Sequence, residues 1–280
     1  IYSNQSTKYT YLSGLRAYFK HLKPDIKNED IDAYSLEYVS GSPDVRADLI
    51  SFRDSLKDRP PKTLSSYLAS LSGYLNENGI PITSKFIGTL KGEAKEAISE
   101  EHVPSNEEIE RILNYLPIIG RAITLCLSSS GMRVGELLKL QDSNIDLTRN
   151  PVRVTIPAKL TKTQKKRITF ISGEAKKELE EWLTHRPEWI ETTKARSNFE
   201  YSDGGRVFPI SKMAFDRMWL RAVTKAQLSK RDEVTDRLEC RPHNLRKFFR
   251  TMGGWSNPDI PEALMGHLAG LTAIYYRSDK

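Results

Sequence analysis

The chain has 280 residues, and its content of 38% hydrophobic and 28% charged residues is typical of a soluble globular protein with two domains. Its net charge of +7 is uneven: residues 1–102 hold 13 Lys and Arg against 14 Asp and Glu (−1), and residues 103–280 hold 30 against 22 (+8). The composition excludes a disordered or membrane-spanning chain, and the basic second part favours a polyanionic partner.

The first 80 residues are predicted to be helical throughout. One helix is predicted to begin at Pro60-Pro61 and to end at Asn78-Gly79. Two shorter helices are predicted over residues 30–39 and 43–56. The apolar side chains that recur at helical spacing are Leu12, Leu15, Phe19 and Leu22 in one stretch and Leu64, Leu68, Leu71 and Leu75 in another.

A polar connection follows over residues 84–104. We assign residues 1–90 to a helical domain, 91–104 to a linker and 105–280 to a second domain. The second domain opens with Ser105, a plausible helix cap, and acids in the first turn at Glu107 and Glu108. Helices are then predicted as far as about Leu140.

The remainder of the second domain is predicted to be mixed. β-branched residues over Val152–Ile156 and Arg167–Ile171 predict two strands of a hairpin. A helix is predicted over 173–185, a loop over 198–205, and a second helix over 211–228 with a basic face. The basic residues of that face are Lys212, Arg217, Arg221 and Lys225. The fold class is therefore mostly α with a small β-sheet.

Several kinds of chemistry have no motif in the chain. Cys126 and Cys240 form no disulfide or zinc pattern, which points to a reducing interior, and Cys240 with His243 lacks the second half of a zinc site. No glycine-rich phosphate loop, dinucleotide fingerprint or acidic cluster for paired magnesium ions is present. We therefore expect no cofactor and no metal.

Four segments carry residues suited to phosphoryl transfer. Arg133 and Glu136, three positions apart, predict either a surface ion pair or a guanidinium aimed at a phosphate and oriented by the carboxylate. The basic residues of the strand connection are Lys159, Lys162, Lys165, Lys166 and Arg167. The third segment holds Arg241, His243, Arg246, Lys247 and Arg250, and the fourth holds His267, Tyr275 and Tyr276.

In that order and at those distances, these segments resemble the active site of the tyrosine recombinases, the phage integrase and Xer group. The residues that carry the resemblance are Ser130-Gly131-Met132-Arg133-Val134-Gly135-Glu136-Leu137-Leu138, His243-Asn244-Leu245-Arg246, Leu264-Met265-Gly266-His267 and Tyr276. The resemblance covers the second domain well and the first loosely, where residues 62–82 resemble the exit of the core-binding domain. Within this family the chain most resembles an Xer-like integrase of archaeal or mobile-element type.

The resemblance implies a helical core-binding domain followed by an α+β catalytic domain that close around double-stranded DNA. It implies that Arg133, Arg246 and His267 hold the phosphate, that His243 assists proton transfer, and that Glu136 supports Arg133. Tyr276 is the implied nucleophile, with Tyr275 as the alternative. Lys162 is the implied acid, because it lies five positions before the arginine that begins the second strand; Lys159 and Lys165 are alternatives. The other implied DNA-binding residues are Lys166, Arg241, Lys247, Lys212 and Arg217.

Two departures from the family pattern affect the expected assembly. Lys247 stands where many members have a histidine. Only four residues follow Tyr276, where members continue with a segment that docks on a neighbouring protomer. Because the chain also begins at Ile1 without methionine, we expect it to be trimmed or to assemble differently, as a monomer when free and a tetramer on DNA.

The function that this implies is site-specific recombination through a 3′-phosphotyrosyl intermediate, in the cytoplasm and in association with the nucleoid. Two alternatives stay open. One is a DNA-binding protein that keeps the fold without cleaving, and the other is a type IB topoisomerase-like enzyme that relaxes and reseals one strand. The DNA site and the direction of the reaction are not encoded in any motif.

Overall fold

The computed structural model describes residues 5–92, 102–196, 203–233, 235–254 and 257–267. The chain divides into two compact units, Ile1–Ile98 and Ser99–Lys280. Each unit has its own hydrophobic core.

The first unit is helical in its described residues. Its helices are α1 (Gln5–Leu22), α2 (Ile31–Ser40), α3 (Val45–Ser55), α4 (Pro61–Glu77) and α5 (Ser84–Lys91). The prediction for α4 is confirmed at both ends, since Pro61 is its first residue and Asn78 its C-cap. Helix α5 was not predicted: it is short, begins at the Thr83 cap, and buries only Ile87 and Leu90.

Aromatic rings and leucines fill the core of this unit. Tyr18 of α1 makes edge-to-face contacts, which suit the ring quadrupoles, with Phe52 of α3 and with Phe19, and all three rings are buried. Leu68 and Leu71 of α4 are also completely buried. The helical spacing of apolar residues therefore identified the inner faces of α1 and α4 correctly.

The second unit combines helices with one small sheet. Its elements in chain order are α6 (Asn106–Leu113), α7 (Ile118–Ser130), α8 (Val134–Leu137), β1 (Ile145–Asp146), β2 (Val152–Ile156), β3 (Arg167–Ile171), α9 (Gly173–Arg196), α10 (Lys212–Lys225), α11 (Asn244–Gly253) and α12 (Asp259–Met265). The sheet is antiparallel in the order β1-β2-β3. The predicted fold class, mostly α with a small sheet, is confirmed.

The predicted hairpin and the predicted helix cap are confirmed in detail. Strands β2 and β3 have the predicted bounds, and Ile156 pairs with Arg167 at the end where the connection enters. Ser105 and Glu108 cap each other's backbone at the start of α6. Helix α9 is longer than predicted, because it continues through Pro187 to Arg196.

Helix α7 is the centre of the second unit. Ten of its thirteen residues are buried, because other elements of this unit pack around most of its surface. Two buried tryptophans close the core from other sides: the indole of Trp182 donates to Val207 O at 2.8 Å, and that of Trp219 to Cys240 O at 2.9 Å. At the C-terminal end of α7, from which the candidate site is built, Ser130 O accepts a hydrogen bond from the hydroxyl of Thr169 at 2.8 Å. No helix in the described part of the chain has both the length and the apolar character of a membrane span.

Candidate active site

The site begins where α7 ends. Gly131 caps this helix with φ of 63°, and two residues later Arg133 is the N-cap of α8. The Glu136 side chain, only 3% exposed, turns back and accepts hydrogen bonds from Arg133 Nη1 at 2.9 Å and from the Arg133 backbone N–H at 2.8 Å. The predicted proximity of Arg133 and Glu136 is confirmed, but the pair is not a surface ion pair, because its carboxylate is buried.

Arg167, at the start of β3, is a site residue that the sequence analysis missed. Its Nη1 and Nη2 donate to the two oxygens of Glu136 at 3.0 and 2.7 Å, and its Nε donates to Leu264 O at 3.0 Å. The side chain is 9% exposed. In the sequence, Arg167 belongs to a basic segment and marks the start of the strand, but no role in the site was assigned to it. The available signal was an arginine at the end of a strand with no acid nearby in sequence.

Arg246, in the first turn of α11, is buried at 6% exposure. Its guanidinium donates to Gly131 O and to Met265 O, the latter at 2.9 Å, and lies 2.7 Å from His267 Nε2. The family resemblance implies that Arg246 and His267 bind phosphate, and in the structure these two side chains are in contact. Burial, with the positive charges of Arg133 and Arg167 beside it, lowers the pKa of Arg246 to about 10.

His267 is held from both sides of its ring. Its Nδ1 lies 2.8 Å from Glu262 Oε2, and its Nε2 faces Arg246. Glu262, a residue of α12, also accepts a hydrogen bond from Arg250 Nε. Glu262 was not identified from the sequence, since an acid five positions before a histidine is not a motif by itself.

The electrostatic balance of this cluster is positive. Burial tends to raise the pKa of Glu136, but the hydrogen bonds and charge of Arg167, and then those of Arg133, outweigh it and lower this pKa. The carboxylate is therefore ionised and offsets one of the three guanidinium charges of Arg133, Arg167 and Arg246. Because the guanidinium groups outnumber the carboxylate, the cluster favours binding of an oxyanion, to which guanidinium groups donate charge-assisted hydrogen bonds.

Two glycines allow the segments to approach. A Cβ atom on Gly131 would lie 2.3 Å from Cδ1 of Phe249, so only glycine fits between α7 and α11 at this point. Gly266 has φ of 75°, and a Cβ there would lie 3.1 Å from Arg167 Cδ. Both positions combine left-handed backbone with close packing, which glycine alone tolerates without strain.

A cleft of about 460 Å³ extends from Arg133 along α10, where Lys212, Asp216, Trp219 and Leu220 line it. Arg133, Lys212, Arg241 and His243 line it, so the structure brings together four of the predicted site residues. His243 is exposed at the start of α11. Lys212 forms an ion pair with Asp216 at 2.5 Å, whereas Arg217 is exposed on the same helix.

The lysines of the β2–β3 connection lie on the surface. Lys159, Lys162, Lys165 and Lys166 are all exposed. The buried Thr161 fixes the base of this turn, since its hydroxyl lies 3.0 Å from Ala158 O and 2.9 Å from Lys165 O. Within the described residues the structure does not join Lys162 to the arginine cluster by a hydrogen bond.

The predicted nucleophile lies outside the described residues, because these end at His267. The roles of Tyr276 and of its alternative Tyr275 are therefore predictions from the sequence alone. Within the described ranges, no group of three or more histidine, cysteine or carboxylate side chains has the arrangement of a metal site.

The model of the phage integrase family matches residues 104–280, and the chain belongs to that family. A relative, tyrosine recombinase XerC of Haemophilus ducreyi, is 30% identical over 189 residues, which are 64% of this chain and 56% of the relative. The chain thus matches a little over half the length of that curated relative.

Two solved structures share the fold. The Tn1549 transposon integrase in complex with circular intermediate DNA has a TM-score of 0.60 at 17% identity, covering 95% of this chain and 96% of that one. A lambda integrase tetramer bound to a Holliday junction has a TM-score of 0.57, also at 17% identity, covering 98% of this chain and 79% of that one. At such identities the likeness establishes the fold.

Proposed function

We propose that the chain is a site-specific DNA recombinase that cuts and rejoins strands through a 3′-phosphotyrosyl intermediate. The observation that carries the proposal is the excess positive charge of Arg133, Arg167 and Arg246 around one buried carboxylate. A phosphodiester in the cleavage transition state gains negative charge on its non-bridging oxygens. Preorganised guanidinium donors stabilise that charge without reorganisation, which is the main requirement of such a reaction.

In this mechanism Arg133, Arg246 and His267 hold the scissile phosphate. The phenolic oxygen of Tyr276 attacks phosphorus, the bond to the 5′ oxygen breaks, and Lys162 protonates that leaving oxygen. His243 accepts the phenolic proton as the new bond forms. A 5′-hydroxyl from a partner strand then reverses the same steps, so the bond energy is conserved and no cofactor is consumed.

The proposed partner is double-stranded DNA, and the proposed assembly is four protomers on two duplexes, formed from monomers. The relatives support this, since the transposon integrase was solved with DNA and the lambda integrase as a tetramer on a junction. The excess of Lys and Arg in residues 103–280 is consistent with phosphate contacts along a duplex. We propose that the protein acts in the cytoplasm on nucleoid DNA.

Covalent trapping on nicked suicide duplexes tests the chemistry. The unaltered chain, Tyr276→Phe and Tyr275→Phe would be incubated with a pool of duplex sequences and resolved under denaturing conditions. An adduct that is lost only in Tyr276→Phe supports the proposal, and loss only in Tyr275→Phe moves the nucleophile by one position. Clear binding without an adduct from any variant would favour the non-cleaving alternative.

The products distinguish the remaining activities. Joined segments from two separate sites identify a recombinase, whereas relaxed circles without exchange identify a topoisomerase-like enzyme. The same reactions run with a chelator test the proposed metal-free route. Loss of the adduct with chelator, restored by a divalent cation, would contradict that route.

A further inference from the structure

The contacts of His267 determine its tautomer. An arginine guanidinium can only donate hydrogen bonds, so His267 Nε2, 2.7 Å from Arg246 Nη2, is the acceptor and carries no proton. The ring proton is then on Nδ1, where Glu262 Oε2 accepts it at 2.8 Å. In this state His267 is neutral and presents no donor from Nε2.

The proposed role in phosphate binding requires the opposite polarity at Nε2. His267 gains a donor there in one of two ways: the ring changes tautomer, or it takes up a second proton. A change of tautomer would place the Nδ1 lone pair against the Glu262 carboxylate, which is an unfavourable contact of two acceptors. Protonation keeps the Nδ1 hydrogen bond and adds an ion pair with Glu262.

The charges around the ring are arranged for this second route. Burial tends to raise the pKa of Glu262, but hydrogen bonds from His267 and Arg250 outweigh it, so the pKa is lowered and the carboxylate is ionised. Arg246 faces the ring from α11, and Arg167 contacts the backbone of α12 at Leu264. An oxyanion bound among these cations adds negative charge beside the ring, which favours its protonated form.

We propose that binding of an oxyanion to the arginine cluster drives proton uptake by His267, and that Glu262 is the positioning residue that makes this possible. On anion binding, Arg246 Nη2 turns from the ring to the anion. His267 Nε2 takes up a proton from solvent, and the resulting N–H donates a hydrogen bond to the same anion. The neutral acceptor thus becomes a cationic donor. The proposal rests on the proposed function, because it concerns the protonation of the same phosphate site.

Nuclear magnetic resonance of the ring nitrogens tests the proposal directly. The ¹⁵N-labelled chain is measured at neutral pH without anion and with sulfate, which does not itself titrate in this range. His267→Gln identifies the His267 signals among those of the five histidines. Without anion we expect a protonated Nδ1 and a bare Nε2; with sulfate bound, both nitrogens become protonated. The backbone amides of residues 131–133 report sulfate binding independently.

Two variants separate the outcomes. In Glu262→Gln, sulfate still shifts the amides of 131–133, but we expect His267 to stay neutral. Glu191→Gln removes an exposed carboxylate of α9 that is paired with Lys194, and it should behave like the unaltered chain. Sulfate binding with a neutral His267 in the unaltered chain, or equal protonation in Glu262→Gln, overturns the proposal alone. No amide shift with sulfate overturns the phosphate site and this proposal together.

Discussion

Arg167 and Glu136 are joined by two hydrogen bonds between a strand and a short helix. Nη1 and Nη2 of Arg167 each donate to one carboxylate oxygen, at 3.0 and 2.7 Å. The third donor of Arg167 reaches Leu264 O, two residues before Gly266 and three before His267. One side chain therefore connects the segment of Arg133 to the segment of His267, which lie far apart in sequence.

Loss of this connection should destabilise the second unit. Arg167→Met leaves the buried Glu136 carboxylate with Arg133 as its remaining charged partner, and we expect a loss of about 3 kcal/mol in the free energy of unfolding. Urea unfolding followed by tryptophan fluorescence measures it, because all four tryptophans belong to Ser99–Lys280.

A matched control is Arg121→Met, which removes ion pairs with Glu178 and Glu181; these side chains are 34%, 23% and 50% exposed, in the order Arg121, Glu178, Glu181. Since solvent screens these pairs, we expect a loss of no more than about 1 kcal/mol. Equal losses from Arg121→Met and Arg167→Met would contradict a special structural role for Arg167.

Glu136 should also give the second unit a specific dependence on pH. Its pKa in the folded protein lies below the ordinary 4.5, so its ionised form contributes stability above that value and the contribution is lost as pH falls through the folded pKa. In Glu136→Gln this part is absent. We therefore expect the two unfolding free energies to differ most above pH 5 and to converge in acid, as measured by urea unfolding at several pH values.

Glu180→Gln is the control for this titration, because Glu180 is half exposed and its pair with Lys176 spans 3.7 Å. Its unfolding free energy should follow that of the unaltered chain at every pH. A difference between Glu136→Gln and the unaltered chain that stays constant from pH 7 to pH 3 would count against the assigned ionisation of Glu136.

Gly131 should be irreplaceable, in contrast to its neighbour Gly135. Gly131→Ala introduces a Cβ at a φ of 63° and 2.3 Å from the Phe249 ring, and displaces the carbonyl that accepts from Arg246. We expect a loss of about 2–4 kcal/mol from backbone strain and overpacking together.

Gly135→Ala has open space at its Cβ and lies within α8, so it should be neutral or stabilise by about 0.5–1 kcal/mol. Thermal unfolding of the two variants side by side measures the contrast. If Gly131→Ala were tolerated as well as Gly135→Ala, the packing of α7 on α11 described above would be wrong at this point.

Local patterns in the sequence predicted what local physics determines. Alternating β-branched residues predicted the bounds of β2 and β3, and Ser105 with Glu108 predicted the start of α6. In each case the residues that form the pattern lie within a few positions of one another. The partners of Glu136 and His267 were different. Arg167 meets Glu136 only because β3 packs beside α7, which no spacing in the chain reveals.

The same distinction applies to the predicted catalytic residues. Resemblance to a family assigned Arg133, Arg246 and His267, and the structure brings Arg246 and His267 into contact. It gave no role to Glu262, whose importance follows from a hydrogen bond rather than a motif. Lys162 lies on an exposed turn, so its position relative to a bound strand depends on the DNA and not on contacts within the chain.

The proposed acid for the leaving 5′ oxygen, Lys162, can be tested against the other lysines of that turn. Replacing the 5′ bridging oxygen by sulfur gives a leaving thiolate, and because a thiol has a pKa near ~8.5 it departs without a proton. Lys162→Ala should therefore lower the rate of cleavage of ordinary DNA by about 10²–10⁴-fold, the usual contribution of a general acid. On the sulfur substrate the same variant should cleave at nearly the rate of the unaltered chain.

Lys159→Ala and Lys165→Ala are the matched variants, since both lysines are exposed on the same connection. If either of them only contacts the DNA backbone, its defect should be equal on the two substrates and should decrease when the DNA concentration is raised. Rescue by sulfur in Lys159→Ala or Lys165→Ala, with none in Lys162→Ala, would transfer the acid to that lysine. Because the chemistry of the leaving atom selects the residue, this measurement identifies the acid independently of any family resemblance.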